Sequence, residues 1–472
     1  MPHDGRRARS YGNVLIRPGN TLLPERRIQA GVGPGMLKIL FIVALLVFGP
    51  GLLLLSCYGH PIVPAFGVTA YDPDRAYNGY TLFSTVDGDA SGGAAGVVYL
   101  IDMRGNEVHR WNVSHTPGDY GYLLPDGDLL YAGEVKSGPA PAGGKGGVLQ
   151  QIGWDGTVKR EYRNDTLHHD FCRKPDGHNL AIAWAPMPDS YVDQVEGGLG
   201  MFAPGVMYSD SIVEIAPDGA IAWEWHAWEH LPPEQMRLHA LADRNELTHT
   251  NAVEYLPAGN PYNGRESVLV CFRELDTVAI VDRETGNISW SWRDDSVRHP
   301  HDPTLLPDGH VLLFANCYLA PGAISVPPAS AIVEIDPATG DIVDVYERSS
   351  GGDRFFSFLI SGAQRLPNGN TLVCEGIGGR LFEVAPGGEI VWAYVNPHFS
   401  PGFMGNSVFR AYRYAPGDID WPEALPSPDP GYGPRVEVSL KDRLFGTLAR
   451  PVLADFNLIF SVREQVERLI RT

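Results

Sequence analysis

Three short stretches of this chain bring together side chains that can act on one small anion: His168-His169-Asp170, His249-Thr250-Asn251 and His299-Pro300-His301-Asp302. The chain can be aligned on the proline of its recurring turns. Six places before that proline stand Asp119, His169, Asn251, His301, Ser361 and Arg410. Side chains two apart on a strand share a face, so His249 is expected beside Asn251, and His299 beside His301. Imidazoles and a guanidinium converging on one cleft make a site that stabilises an anion and, through an unprotonated ring, attacks it. Each histidine also has a plainer use, bonding a carbonyl of the next strand. Arg410 has one too, pairing with Asp119. His299, His301 and Asp302 are the set that could serve as metal ligands, but no metal or cofactor is assigned.

The elements that must position these residues are short and repeated. A turn followed by an apolar strand recurs as LPDGDLLYAG, KPDGHNLAIAW, LPDGHVLLFAN and LPNGNTLVCEG, in which proline suits the first corner and glycine tolerates a positive φ. A second pattern, shaped like GxIxWxW, begins at Gly105, Gly156, Gly219, Gly286, Gly340 and Gly388. Its copies lie roughly 50 to 65 residues apart, which is a blade-sized period with insertions. Four strands per period and six periods give an all-β class, a six-bladed β-propeller with four-stranded blades. The first blade begins at its second strand near Tyr80, so its innermost strand must come from Val408–Tyr414, tying 408–416 to 78–112. Innermost strands line the channel, and the polar column therefore forms one ring at one mouth. The tryptophans of the second pattern, such as Trp223 and Trp225, are expected between neighbouring blades. GGKGG at 143–147 lacks the Ser/Thr and helix of a phosphate-binding loop and reads as a surface loop.

Composition agrees with this class. Gly 54 and Pro 39 imply many turns, and a formal net charge of −19 argues against a nucleic-acid partner. The expected organisation is a basic cytoplasmic head over 1–38, a transmembrane anchor or signal segment over 39–57, a linker over 58–75, the propeller over 76–418, and a linker with a C-terminal amphipathic helix over 419–472. Arginines before an apolar run keep the N-terminus inside and export the chain beyond it, so the propeller is expected outside the cytoplasm, periplasmic or at the cell surface, and tethered to the membrane. Leu54-Leu55-Ser56-Cys57 also resembles a bacterial lipobox, with Cys57 as its lipidated residue. The other four cysteines stand singly in or beside apolar strands, as buried small hydrophobes do. Residues 453–470 have a helical apolar period, suited to capping the propeller or lying on a membrane.

The combination of His168-His169-Asp170, His249-Thr250-Asn251, the strand VLVCFRELDTVAIVD carrying Arg273, and His299-Pro300-His301-Asp302 with FAN downstream resembles the bacterial arylsulfate sulfotransferases, over roughly residues 76–416. The resemblance implies transfer of a sulfuryl group from a phenolic sulfate ester to a phenol without a nucleotide donor, through a sulfated histidine. It places the nucleophile at His301, with His249, His169 and Arg273 as catalytic partners and Asn251 beside His249. His299, His168 and Arg410 are the further residues expected to contact substrate. A β-sandwich precedes the propeller in the best-studied branch, whereas residues 58–75 alone separate the apolar segment from the first blade in this sequence. FANC also replaces a FDNG-like turn.

The residues suit that chemistry on their own terms. A neutral imidazole can attack sulfur in line while Arg273, His249 and His169 bond the three peripheral oxygens, and a phenolate is already a fair leaving group. Two transfers through one covalent intermediate imply ping-pong kinetics. A propeller that only binds a ligand or protein at its mouth is the alternative, and a hydrolase would use the same residues with water as acceptor.

Overall fold

The computed structural model describes residues 65–88, 95–141, 143–198, 205–238, 244–319, 329–347, 355–400 and 404–434. The chain divides at Cys57 into two units, and the described residues all belong to the second, Tyr58–Thr472. The basic head, the apolar run 39–57 and the helix expected over 453–470 lie outside the described residues. Among the described residues, no helix is long and apolar enough to cross a membrane.

Six antiparallel sheets form an all-β, six-bladed propeller. From the channel outward, the first blade is Val408–Tyr414, Tyr80–Thr85, Gly96–Ile101 and Glu107–Val113. The pairing Tyr80↔Tyr414 joins the two ends of the described chain. The innermost strands of blades two to six are Pro117–Leu123, Leu167–Arg173, Thr250–Leu256, Val297–Leu305 and Gly362–Arg365. Second strands such as Ser267–Phe272 and Val311–Tyr318 are buried along their whole length, which is why they read as continuous apolar runs. Outer strands such as Ile221–His226 and Ile288–Trp292 are mostly polar or exposed apart from a buried tryptophan near the end.

Those tryptophans set blade spacing. The indole N–H groups of Trp111, Trp225, Trp292 and Trp392 donate to the carbonyls of Gly153, Gly286, Gly340 and Met103, each on the following blade. Trp225 is buried as expected, while Trp223 is half-buried and carries the Arg283 guanidinium on its face. Blades two, five and six have Tyr162, Tyr346 and Tyr394 at the position of Trp111, Trp225 and Trp292, and in the sixth blade Trp392 stands two residues earlier.

A second ring of bonds runs around the channel. One side chain on each innermost strand accepts a backbone N–H from the next: Tyr414 Oη from Leu123, Tyr122 Oη from Arg173, Asp170 Oδ2 from Val253, Glu254 Oε2 from Leu305, Asp302 Oδ2 from Ala363, and Gln364 Oε1 from Arg413, at 2.7–3.1 Å. Channel-facing N–H groups that no ladder can pair are satisfied in this way.

Two expected linkers are corrected. Within 58–75, Gly67–Tyr71 is a fifth strand on the outer edge of the sixth blade, paired with Ile390–Val395, because its backbone covers an edge that would otherwise lie open. After 418 the chain docks on the propeller. Ile419 is buried, Trp421 packs edge-on against Tyr80 and Trp154, and Asp429 pairs with Arg104 at 2.8 Å.

Candidate functional site

The innermost strands are bulged where the polar residues stand. Register shifts occur around His169, Asn251, Asp302 and Asp119, and positive φ is taken by Asp119, His169, His249, His299, Asp302 and Ser361. An added residue bends the strand and re-aims its side chains, and left-handed backbone at non-glycine positions gathers at functional mouths. Simple alternation of faces therefore fails here, and neighbours two apart take different environments.

His301 is almost wholly buried, and its Nδ1–H donates to the carbonyl of His299 at 3.1 Å. Its Nε2 has no hydrogen-bond partner among the described residues. Burial, then Arg273, with His249 and Arg410 adding, push its pKa well below the usual histidine value against the opposing effect of that carbonyl. It is a neutral ring with a bare nitrogen. His249 Nδ1 lies 2.8 Å from Glu246 Oε2. Burial alone would lower its pKa, but the Glu246 carboxylate outweighs burial and raises it, favouring the imidazolium. The rings of His169 and His249 meet edge to face at 4.6 Å. His169 is held neutral by burial, then by His249, His168, His301 and Arg273. The Nε2 atoms of His169 and His249 also lack partners among the described residues. Arg273 opens a turn of 3-10 helix after Ser267–Phe272, is paired with Glu274, and keeps its backbone N–H on the carbonyl of His249 at 3.2 Å.

The remaining expected residues sit behind this front. Asn251 is fully buried, its Nδ2 donating to the carbonyl of Pro300 at 2.9 Å, and so fixes the peptide that carries His301. His299 has its N–H on Asp276 Oδ1 at 2.9 Å. His168 contacts His169 through Nδ1 at 2.7 Å, lies 3.0 Å from Asp210 Oδ1 through Nε2, and stacks on Trp184 at 4.3 Å. Arg410 reaches across the channel to Asp170 Oδ2 at 2.9 Å, Asp302 Oδ1 at 3.1 Å, the carbonyl of Asn251 at 3.0 Å and Tyr120 Oη at 3.2 Å. Its ion pairs are thus with Asp170 and Asp302, and burial, which would weaken its charge, is outweighed by those carboxylates.

Residue pattern missed Asp210, Glu246 and Gly144. A buried Asp inside the apolar strand Tyr208–Ile215 and an acid three residues before His249 were the available signals. GGKGG is not a free surface loop: the His169 N–H donates to the carbonyl of Gly144 at 2.8 Å, and Lys145 Nζ is held by two carbonyls. Gly144 has φ +80°, and a Cβ there would lie 2.2 Å from the His169 ring, so only glycine fits. His168, Asp210 and Glu246 offer ligand atoms within 4.8 Å of one another, as a metal set would. Both Glu246 oxygens already accept, from Trp184 Nε1 at 2.8 Å and from His249, while His168 Nε2 and Asp210 Oδ1 face each other at 3.0 Å without a hydrogen bond.

A family model described as Arylsulfotransferase (ASST) matches residues 157–397, just over half of the chain. No curated protein matches. Among solved structures, a protein of unknown function from Bacteroides caccae is 12% identical with TM-score 0.44, covering 71% of this chain and 99% of its own. A streptogramin B lyase is 13% identical with TM-score 0.38, covering 72% and 85%. A virginiamycin B lyase from Staphylococcus aureus is 13% identical with TM-score 0.32, covering 58% and 68%. At these scores the structural likenesses carry no argument. The matched segment runs from the outer strand of the second blade through the sixth and holds every histidine of the mouth together with Arg273, and the chain belongs to the arylsulfotransferase family.

Proposed function

We propose that this chain moves a sulfuryl group from a phenolic sulfate ester to a phenol through a sulfated His301. The observation that carries the proposal is the set of three Nε2 atoms, on His169, His249 and His301, which have no partner among the described residues while each Nδ1 is fixed from behind. Nδ1–H bonded to a carbonyl leaves the lone pair of His301 on Nε2, the atom that attacks sulfur. The S–O bond to the aryl group breaks and the phenolate departs. Arg273 and the imidazolium of His249 stabilise the non-bridging oxygens, and His169 borders the third side. The second phenol then attacks sulfur and the S–N bond breaks. We also place the propeller outside the cytoplasm, tethered through residues 39–57.

The binding-only alternative draws on the same mouth, because Arg410, Asn251 and His168 each spend at least one hydrogen bond within the protein. The three open Nε2 atoms favour chemistry. The test is intact-mass measurement after mixing with p-nitrophenyl sulfate. A gain of about 80 Da, the mass of one sulfuryl group on a covalent nucleophile, is expected for the parent chain and for His299→Ala and not for His301→Ala. No adduct and no phenol release with several aryl sulfates would leave the binding reading standing.

A further inference from the structure

We infer that Asp119 is the general acid and base of the mouth, giving a proton to the phenolic oxygen that leaves sulfur and taking one from the phenol that arrives. The inference rests on the transferase reading and assigns a proton that reading leaves without a carrier.

Place comes first. In-line displacement holds nucleophile, sulfur and leaving oxygen on one axis, so a group that protonates the leaving oxygen stands across the channel from the nucleophile. His301 belongs to the fifth of six blades, and the second lies opposite. The second blade's residue in the row that holds His169 and His301, six places before the turn proline, is Asp119. Asp119-Tyr120 also matches His169-Asp170 in detail. Both pairs are bulged out of their innermost strands, Asp119 and His169 have φ +104° and +52°, and Tyr120 Oη and Asp170 Oδ2 meet Arg410 at 3.2 and 2.9 Å. Asp119 is thus the counterpart in blade two of a histidine that borders the mouth.

No hydrogen bond of the fold uses its inner oxygen. Asp119 is 7% exposed, and its Oδ2 has no hydrogen-bond partner among the described residues. Arg410 is spent instead on Asp170, Asp302, Tyr120 and the carbonyl of Asn251. Left-handed backbone at a non-glycine residue is a further cost, of the kind that functional mouths carry. Burial pushes the carboxyl well above its usual pKa; Arg410 opposes that rise, and Asp170, Asp87 and Glu134 add to it. A buried acid without a partner keeps its proton, and a protonated carboxyl is a donor.

The steps balance. As Nε2 of His301 bonds to sulfur and the S–O bond breaks, the Asp119 proton goes to the aryl oxygen and a neutral phenol leaves. Arg410 steadies the carboxylate formed in between. The second phenol gives its proton to that carboxylate as its oxygen attacks sulfur, and the S–N electron pair returns to His301. Asp119 ends as it began, protonated.

The experiment is single-turnover kinetics on the full chain, reading loading as release of the first phenol and discharge as transfer to the second. Donors are p-nitrophenyl sulfate, whose nitro group makes a good leaving phenolate, and phenyl sulfate, whose phenol has a pKa of about 10, as for tyrosine. Asp119→Asn keeps the shape and removes the proton that is given. It is expected to slow loading from phenyl sulfate about 10²-fold, the size of a general-acid effect, and loading from p-nitrophenyl sulfate far less. Discharge to phenol, the same step reversed, should slow alike. Asp119→Ser gives the same reading should the amide variant fail to fold. Equal slowing with both donors, or loading from phenyl sulfate at the parent rate, would overturn the assignment, since displaced histidines slow every donor alike. A parent chain that loads from neither donor overturns the transferase reading instead, a separate outcome.

Discussion

Three histidines that look alike in the sequence differ in what backs them. His301 has a carbonyl behind it, His249 a carboxylate, and His169 another histidine. Those backings separate their charges at one pH, which is how one site obtains a nucleophile and a cation from the same residue type. They also set the pH dependence of the loading step. His301, with its lowered pKa, stays unprotonated well into mild acid, so the acid side of the profile should be flat down through ordinary histidine titration. His249, with its raised pKa, is charged below that raised value and loses its proton as pH climbs through it, so loading should fall on the alkaline side. Glu246→Gln removes the group that outweighs burial. It should move the alkaline fall to lower pH and reduce loading at neutral pH about 10²-fold, as loss of one charge-stabilising donor does. An unmoved alkaline limb would show that His249 is not the group titrating.

At the scale of the element, the tryptophan repeat that identified the blades also joins them. Trp225→Phe keeps an apolar ring but removes the indole N–H that reaches the carbonyl of Gly286, together with part of the buried ring volume. A cost of about 1–2 kcal/mol is expected for the buried carbonyl left unpaired, seen as a lower thermal midpoint with loading and discharge unchanged. A midpoint equal to the parent would mean that packing alone sets the blade spacing. The repeat was legible because turns and buried strands follow local rules: Leu305 and Leu306 before Pro307-Asp308-Gly309, and VLLFA after it, become the hairpin they spell out. The bulges were not legible. Pattern puts His299 and His301 on one face, but bulges depend on how a channel-facing strand meets its neighbours, and His299 is turned through φ +51° with its N–H tied to Asp276 of the previous blade. The places of His169, His249 and His301 at the mouth were legible from type and spacing, whereas Arg273 came only from the resemblance to the family. Asp210 and Glu246 were not legible: Asp210 lies 42 residues from the His168 it faces and leaves no local signal of that contact, and Glu246, three places before His249, looks like any surface acid until the strand is bulged.

For the whole molecule, Arg410 is a residue that links five blades at once. It belongs to the first, bonds the second through Tyr120, the third through Asp170, the fourth through the Asn251 carbonyl and the fifth through Asp302, whose other oxygen holds the sixth. Removing it would strand two buried carboxylates. Arg410→Met should destabilise the protein by about 3–5 kcal/mol, the cost of breaking a buried ion pair from one side. Burial already raises the pKa of Asp302 and Arg410 opposes that rise. Without Arg410 the folded-state pKa climbs further above the unfolded value, so the deficit is full at high pH and shrinks as falling pH protonates the acid. Thermal midpoints of parent and variant should converge as pH falls through the raised pKa of Asp302; a constant gap would mean the arginine acts through packing.

The same residue ties chemistry to the order in which the chain is made. A ribosome that has released His301, Arg273 and both backing carboxylates has still not released Val408–Tyr414, the strand that seats Arg410. Until then the first blade lacks its inner strand, the acids at the channel centre lack their cation, and the peptide of His301 is held from one side only. A chain stopped between residue 301 and that strand contains His169, His249, Arg273 and His301 and should transfer nothing, so turnover would certify that synthesis passed residue 414 and that the far end found its way home.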